Sequence, residues 1–248
     1  MKLTFGRGNA KLDALETKFK RQVWTFSLLS GWTCPYAKDC FSKAVLGPNG
    51  KYTIVDGPLT EFRCFSASQE ALFPNVFKSR QANGEVVKLA ATSVADATDA
   101  ILENIPKKAG IIRIHVGGDF QTKAYFQSWI GAATKRQDLL FYAYTKSLPF
   151  WVLLRDSIPD NFLLTASYGG YRDELIEKHD LRYSKVVYSK YAARKLKLPI
   201  DHDDSHAADP KKRDKSFALL IHGAQPAGSE ASKAVRKLNG VGAYGRGK

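Results

Sequence analysis

The three cysteines of this chain are its most reactive side chains, and all lie within the first 64 residues, at Cys34, Cys40 and Cys64. Each lies in a polar, turn-rich segment, whereas structural cysteines are usually buried as small apolar residues. Thiolates in such segments are typical ligands of a metal ion or an iron–sulfur cluster. Three thiolates leave one coordination position open for chemistry or for a ligand of another kind.

A second candidate site is the triplet Gly117-Gly118-Asp119, which follows an apolar, β-branched segment. Paired glycines allow a ligand to approach the main chain closely, because no Cβ intervenes. The carboxylate of Asp119 could bind an amino group. Taken alone, the triplet is better explained by a simple strand-to-helix turn, with Asp119 as the N-cap of the next helix.

Other predicted strands also end in polar residues, which we treat as candidate ligand contacts: Thr145, Lys146 and Ser167. Lys146 could contact a phosphate or carboxylate group. His222, at the end of the last predicted strand, is the best candidate for a fourth metal ligand or for an acid–base group. The acidic stretch 201–206 could bind a divalent metal, but a basic segment follows it and we interpret it as a solvated loop.

Apolar segments that alternate with amphipathic ones must position these residues. Strands are predicted at residues 22–29, 110–116, 139–144, 161–167, 183–188 and 217–222. Helices are predicted at residues 93–105, 122–135, 148–157, 172–179, 190–196 and 229–238. Ser93 is the expected N-cap of the first of these helices, and Pro106 follows its end.

This alternation predicts an α/β fold with right-handed βαβ units and about six parallel strands. A complete eight-fold barrel needs about 250 residues, and residues 30–109 form one long cysteine-bearing insertion after the first strand. We therefore expect a partial (β/α) barrel, with an open doubly wound sheet as the alternative. A single α/β domain over residues 1–248 is expected, with 239–248 as a flexible, basic, glycine-rich tail.

The bulk properties indicate the compartment and the partners. The sequence contains neither a signal peptide nor an apolar run of the roughly 18 residues that span a membrane. A cytoplasmic protein is therefore expected, in which cysteine clusters more often bind metal than form disulfides. The net charge of +14 makes nucleic acid the first partner to consider. A basic protein without a dedicated ligand remains the alternative, and the oligomeric state is open.

The sequence resembles a family of bacteriophage proteins, the gene-product-eighty-eight family. The similar segments are residues 27–35, 37–40, 62–65, 116–120, 141–146 and 240–248. The resemblance implies a phage-encoded protein and supplies no activity.

The layout also resembles, more distantly, the radical S-adenosylmethionine (SAM) superfamily. That resemblance implies a partial barrel in which Cys34, Cys40 and Cys64 hold a [4Fe-4S] cluster, while Gly117, Gly118 and Asp119 bind the amino group of SAM. The cysteines here are separated by five and twenty-three residues rather than by three and two, and aspartate replaces the usual glutamate.

Three functions therefore remain open. The first is SAM-dependent radical chemistry at an open iron of the cluster. The second is a non-enzymatic nucleic-acid-binding protein in which the cluster, or zinc, is structural, and a fourth ligand from His222 would favour it. The third is a phage structural or accessory protein with three free thiols.

Overall fold

The computed structural model of the protein describes residues 1–8 and 10–238, in which seven strands form one sheet and two form a separate hairpin. In chain order the strands are β1 (Phe5–Gly6), β2 (Val23–Phe26), β3 (Ser42–Leu46), β4 (Tyr52–Asp56), β5 (Ile111–Ile114), β6 (Leu140–Thr145), β7 (Phe162–Ser167), β8 (Tyr183–Val187) and β9 (Phe217–Leu220). The helices are α1 (Ala10–Phe19), α2 (Phe65–Leu72), α3 (Pro74–Asn83), α4 (Glu85–Thr92), α5 (Val94–Asn104), α6 (Lys123–Lys135), α7 (Leu148–Leu154), α8 (Glu174–Lys178), α9 (Lys190–Lys195), α10 (Ser205–Ala208) and α11 (Glu230–Leu238).

The main sheet has the order β1-β2-β5-β6-β7-β8-β9, and all neighbours from β2 to β9 run parallel. The predicted α/β fold and all six predicted parallel strands are confirmed. The sheet described here does not close into a barrel, so the predicted radical-SAM-like barrel is not confirmed. The short strand β1 pairs antiparallel with β2 and occupies the edge that a closed barrel would join to β9.

One face of the sheet packs against α5 and α6, as their apolar spacing requires. Trp129 and Phe126 of α6 are fully buried there against Phe26 and Phe141 of the strands. The N-cap prediction for α5 is confirmed, because the Ser93 side chain accepts a hydrogen bond from the Asp96 amide. These helices are the crossover connections that bring the carboxyl ends of the strands to one edge.

The opposite face of the sheet is covered by α1 and by the segment around α10. Leu12 and Leu15 of α1 pack there against Tyr142, Leu163 and Phe217 of the strands. The interior of the fold on this side is therefore filled near the amino ends of the strands.

The insertion between β2 and β5 consists of the β3–β4 hairpin and the helices α2 to α5. Its anchor is a buried ion pair, in which Arg80 of α3 lies 2.6 Å from Glu70 of α2. Glu70 also accepts hydrogen bonds from the amide and the hydroxyl of Ser30, at the start of the cysteine-bearing loop. Since α5 packs on the main sheet, the last part of the predicted 30–109 insertion belongs to the helical layer.

In the described ranges, no helix is long and apolar enough to cross a membrane. The predicted tail, residues 239–248, lies outside the described residues.

Candidate functional site

A cavity of about 520 Å³ opens at the carboxyl ends of the parallel strands. Its volume is in the range of small-molecule and cofactor sites. Every residue that the sequence predicted as a ligand of metal or cofactor lines this cavity: Cys34, Cys40, Cys64, Gly117, Gly118, Asp119, Thr145, Lys146, Ser167 and His222. The fold thus brings the predicted set together, although its members are up to 188 residues apart in sequence, from Cys34 to His222.

The cysteines are presented by two segments of the insertion, and all three are free thiols that are partly buried. Cys34 lies in the loop after β2, where its sulfur accepts a hydrogen bond from the Gly31 amide over 3.4 Å. Gly31 has φ of +73°, and a Cβ there would lie 2.5 Å from the carbonyl oxygen of Ser42. The turn that carries Cys34 against the hairpin therefore requires glycine.

Cys64 immediately precedes α2, in extended backbone conformation. Burial and the neighbouring charge of Cys40 raise the pKa of the Cys64 thiol to about 11, although the amides of Ala67 and Ser66 at the start of α2 act in the opposite direction. The pKa of Cys34 is also raised well above its usual value, by burial and by the charges of Asp119, Cys64 and Cys40. The three thiols therefore lie within electrostatic reach of one another, and the raised pKa values keep Cys34 and Cys64 protonated at neutral pH in the absence of a cation.

The thiols are not gathered into a preformed metal site. Across residues 1–8 and 10–238, no group of three or more His, Cys, Asp or Glu side chains is arranged to hold a metal ion. The three cysteines can still serve as thiolate ligands, because their free sulfurs border one cavity. Once ionised, the thiolates would repel one another, and a bound cation would offset this repulsion.

The paired glycines are required by packing against the insertion. A Cβ on Gly117 would lie 2.2 Å from the Ser66 hydroxyl, and one on Gly118 would lie 2.6 Å from the Leu28 Cβ. Gly118 also has φ of +82°. The missing Cβ of Gly117 therefore allows α2 to pack close to the end of β5, rather than leaving space for a ligand.

Asp119 is the centre of a buried hydrogen-bond network that joins the ends of β5 and β6. Its Oδ1 accepts from the Thr145 hydroxyl at 2.6 Å and from the Phe120 amide at 2.7 Å, while Oδ2 accepts from the Lys146 amide at 2.8 Å. Burial raises the pKa of Asp119, although these three donors oppose the shift. The predicted N-cap role is wrong, because α6 is capped by the Thr122 side chain, which accepts from the Tyr125 amide.

Lys146 continues the same network to β7. Its ammonium donates to the Ser167 carbonyl, the Ser167 hydroxyl and the Tyr168 carbonyl, over 2.9, 2.8 and 2.7 Å. These acceptors match its three protons, so Lys146 fixes the rim of the cavity.

His222 also lines the cavity, with its ring 4.8 Å from the ring of Phe65, the residue after Cys64. Burial, together with the positive charges of Lys11 and Arg113, lowers the pKa of His222 to about 4. The imidazole is therefore neutral at pH 7, which is the form that binds a metal.

The floor of the cavity contains an ionic cluster that the sequence analysis did not identify. Lys11 and Arg113 line the cavity, and each lies 2.6 Å from Asp204, which is fully buried. The hydroxyls of Tyr142 and Tyr144 donate to the same carboxylate at 2.9 and 3.0 Å. A ligand in the cavity meets the two cations first, because Asp204 is not among the lining residues.

The prediction that residues 201–206 form a solvated loop is therefore wrong, since Asp201 and Asp204 are fully buried. Burial alone would raise the pKa of Asp204. The positive charges of Arg113 and Lys11 outweigh this effect and lower the pKa. The acidic stretch itself gave no sequence signal of burial. The available signal was Arg113, because a cation inside an otherwise apolar strand needs a buried acidic partner.

His115 also lines the cavity and is 3% exposed. Its Nε2 lies 2.9 Å from the Tyr125 hydroxyl, whereas Nδ1 has no hydrogen-bond partner in the part of the chain that the structure describes. The backbone of His115 has φ of +69°, which is uncommon for residues other than glycine. Burial lowers its pKa to about 3.

Comparison with known proteins identifies the family. No curated protein and no solved structure matches this chain, and nothing found supports the resemblance to radical SAM enzymes. The family described as Gene product 88 matches residues 1–238. This match confirms the resemblance to phage proteins, and the chain belongs to the Gene product 88 family.

Proposed function

We propose that this protein binds an iron–sulfur cluster of the [4Fe-4S] type through Cys34, Cys40 and Cys64, and that it carries out one-electron chemistry on SAM in the adjoining cavity. One observation carries the proposal. Three free thiols, although separated in sequence, border a single cavity of ligand size at the carboxyl ends of parallel strands, where α/β enzymes place their active sites.

The thiols meet the chemical requirements of such a group. Burial and neighbouring charges raise the pKa of Cys34 and Cys64 and keep both protonated at neutral pH, so binding of a cationic cluster would displace their protons and relieve the repulsion. Ligation would require the three sulfurs to come closer together than they are in the described structure. When bound, the cluster would supply the electron for reductive cleavage of SAM.

The remaining cavity surface suits a ligand that combines an acidic group with a less polar body. Lys11 and Arg113 give the floor its positive charge, and the aromatic side chains of Phe62 and Phe65 form part of the wall. SAM has this composition, with its carboxylate and its adenine ring. Asp119 contributes by holding the strand ends in place, because both its oxygens already accept hydrogen bonds.

A second candidate is a non-enzymatic protein in which the cluster, or a zinc ion, is structural. The carboxylate of Asp119 already accepts hydrogen bonds from the protein, and Gly117 is tightly packed. Both features favour the structural candidate, because they leave residues 117–119 fewer groups with which to bind a ligand. His222, neutral and stacked beside Phe65, is the side chain that could supply a fourth ligand.

Two measurements on anaerobically purified and reconstituted protein test the proposal. The first is the iron and sulfide content, which should approach four of each per chain for a [4Fe-4S] cluster and fall in Cys34→Ala, Cys40→Ala and Cys64→Ala variants. The second is the formation of 5′-deoxyadenosine after reduction with dithionite in the presence of SAM.

The result of each measurement has a distinct meaning. A full, reducible cluster without 5′-deoxyadenosine would contradict the SAM chemistry and favour the structural cluster. Zinc in place of iron and sulfide would leave only the structural alternative. Protein that keeps neither metal after anaerobic reconstitution would contradict both. Ser68→Ala, a substitution at a buried residue of the cavity wall, is the matched control and should leave the iron content unchanged.

A further inference from the structure

The segment that contains β8 and α9 carries a strong positive charge. Residues 181–200 include six Lys or Arg and no Asp or Glu. On α9, Lys190, Arg194 and Lys195 are exposed, and in the described ranges none of them lies within ion-pair distance of a carboxylate. Their charges are therefore directed to solvent and available to a partner.

The last helix, α11, extends this charged surface. Leu238 at its end packs against the cluster that contains Val187 of β8 and Ala193 of α9, so the last residue of α11 lies at the same edge of the sheet as α9. Arg236 and Lys237 of α11 are exposed, while Ala231 and Ala234 are buried against the fold. The nearest acidic group on α11, Glu230, is bonded to Lys233.

An exposed aromatic ring lies within the same set of charges. Tyr191 of α9 is 70% exposed, the most exposed Tyr, Trp or Phe side chain among the described residues. It is flanked by Lys190 in sequence and by Arg194 and Lys195 one turn later on the helix. An aromatic ring between cations is the combination by which proteins bind single strands, because bases stack on the ring while the cations neutralise phosphates.

We infer that this edge of the molecule, the α9–α11 surface formed by Lys190, Tyr191, Arg194, Lys195, Arg236 and Lys237, binds single-stranded nucleic acid. An anionic membrane would also attract these charges, but the apolar side of α11 is already buried and is not available for insertion. The segment 222–224, which lines the cavity, precedes α11 in the chain. This inference does not depend on the presence of a cluster.

Fluorescence anisotropy of a labelled 20-nucleotide oligo(dT), titrated with the full chain at several salt concentrations, tests the inference. The triple variant Lys190→Gln, Arg194→Gln, Lys195→Gln should bind more weakly, and its salt slope should decrease by about 2 because three phosphate contacts are lost. Tyr191→Ala should weaken binding roughly 5-fold or more through lost stacking. Both changes are at exposed positions, and circular dichroism checks the fold.

Two matched controls make the test specific. The triple variant Lys2→Gln, Lys107→Gln, Lys108→Gln removes as many exposed charges near the end of α5, and Tyr171→Ala removes another exposed tyrosine. Both should bind like the unmodified chain. Equal weakening by the two triple variants would overturn the assignment to this surface. Unchanged binding by Tyr191→Ala, or equal affinity for a duplex of the same length, would overturn the assignment to single strands.

Failure to bind oligo(dT) at about 50 mM salt, where phosphate contacts are strong, would overturn the inference altogether. Binding to phosphatidylserine vesicles without binding to the oligonucleotide would assign the surface to a membrane instead.

Discussion

The Thr145 hydroxyl donates a hydrogen bond to the Asp119 carboxylate over 2.6 Å, and this bond joins the ends of two neighbouring parallel strands. The same carboxylate accepts from two backbone amides and is 5% exposed. Asp119 therefore shapes the cavity rim from within the fold.

This arrangement predicts the effect of removing the carboxylate. Asp119→Ala leaves three buried donors without an acceptor, at a cost of roughly 1–3 kcal/mol each, so unfolding in urea should show a loss of at least about 2 kcal/mol. Thr122→Ala, which removes the N-cap of α6, should cost only about 1 kcal/mol. A smaller loss for Asp119→Ala than for Thr122→Ala would show that the network contributes little.

The ionic cluster at the cavity floor makes a second prediction. Asp204→Asn keeps a side chain that tolerates the positive φ of 59°, but leaves Lys11 and Arg113 without their shared counter-charge. The loss of stability should be about 3 kcal/mol or more, as for other buried ion pairs broken on one side.

The neighbouring residue is a matched control for this substitution. Asp203 contacts Lys18 at 3.4 Å in a half-exposed pair, so Asp203→Asn should cost no more than about 1 kcal/mol. Urea unfolding at pH 7 measures both. Similar effects of the two substitutions would contradict a structural role for the buried cluster.

The parallel strands could be predicted from sequence because each is a short, largely apolar or β-branched run between amphipathic segments. Their polar ends could also be predicted, because parallel topology brings all carboxyl ends to one edge. Cys34 and His222 thus line the same cavity, as the predicted topology implied. Barrel closure could not be predicted, because it depends on which strand occupies each edge, and β1 has only two residues.

The role of the acidic stretch at 201–206 could not be predicted for a different reason. Local composition indicates solvent exposure, whereas Asp204 is buried by partners 193 residues away at Lys11 and 91 residues away at Arg113. The N-cap of α6 was misplaced because Asp119 and Thr122 are both good capping residues. Only the tertiary hydrogen bonds of Asp119 distinguish them.

His115 makes a third prediction, which concerns pH. Its pKa is about 3 in the folded chain and about 6.5 when unfolded, so the unfolded state binds more protons between these values and stability falls as the pH is lowered through this window. Between pH 7 and pH 5 the loss from this residue should be about 2 kcal/mol.

A substitution isolates this contribution. His115→Asn removes the titrating ring while suiting the positive φ, so the variant should lose about 2 kcal/mol less than the unmodified chain over the same pH range. His202→Asn, the same substitution at an exposed histidine, is the matched control. Urea unfolding at pH 5, 6 and 7 provides the comparison, and parallel pH curves for His115→Asn and the unmodified chain would contradict the prediction.

The thiols make the last prediction, which concerns the pH dependence of metal binding. The pKa of Cys64 is about 11 and that of Cys34 is also raised, so both carry protons at pH 7 and a metal must displace them. The logarithm of the apparent zinc affinity should therefore increase with pH between 6 and 8, with a slope equal to the number of thiol protons released. Competition with a chromophoric chelator under anaerobic conditions measures this slope.

Substitutions then assign the slope to particular sulfurs. Cys64→Ser removes one displaced proton, so the slope should decrease by about one while the affinity falls. Ser68→Ala, in the first turns of α2 and on the same cavity wall, should change neither quantity. Zinc affinity that is independent of pH, or that survives the loss of Cys34, Cys40 and Cys64 together, would place the metal away from the thiols, because no other residue of this chain releases a thiol proton.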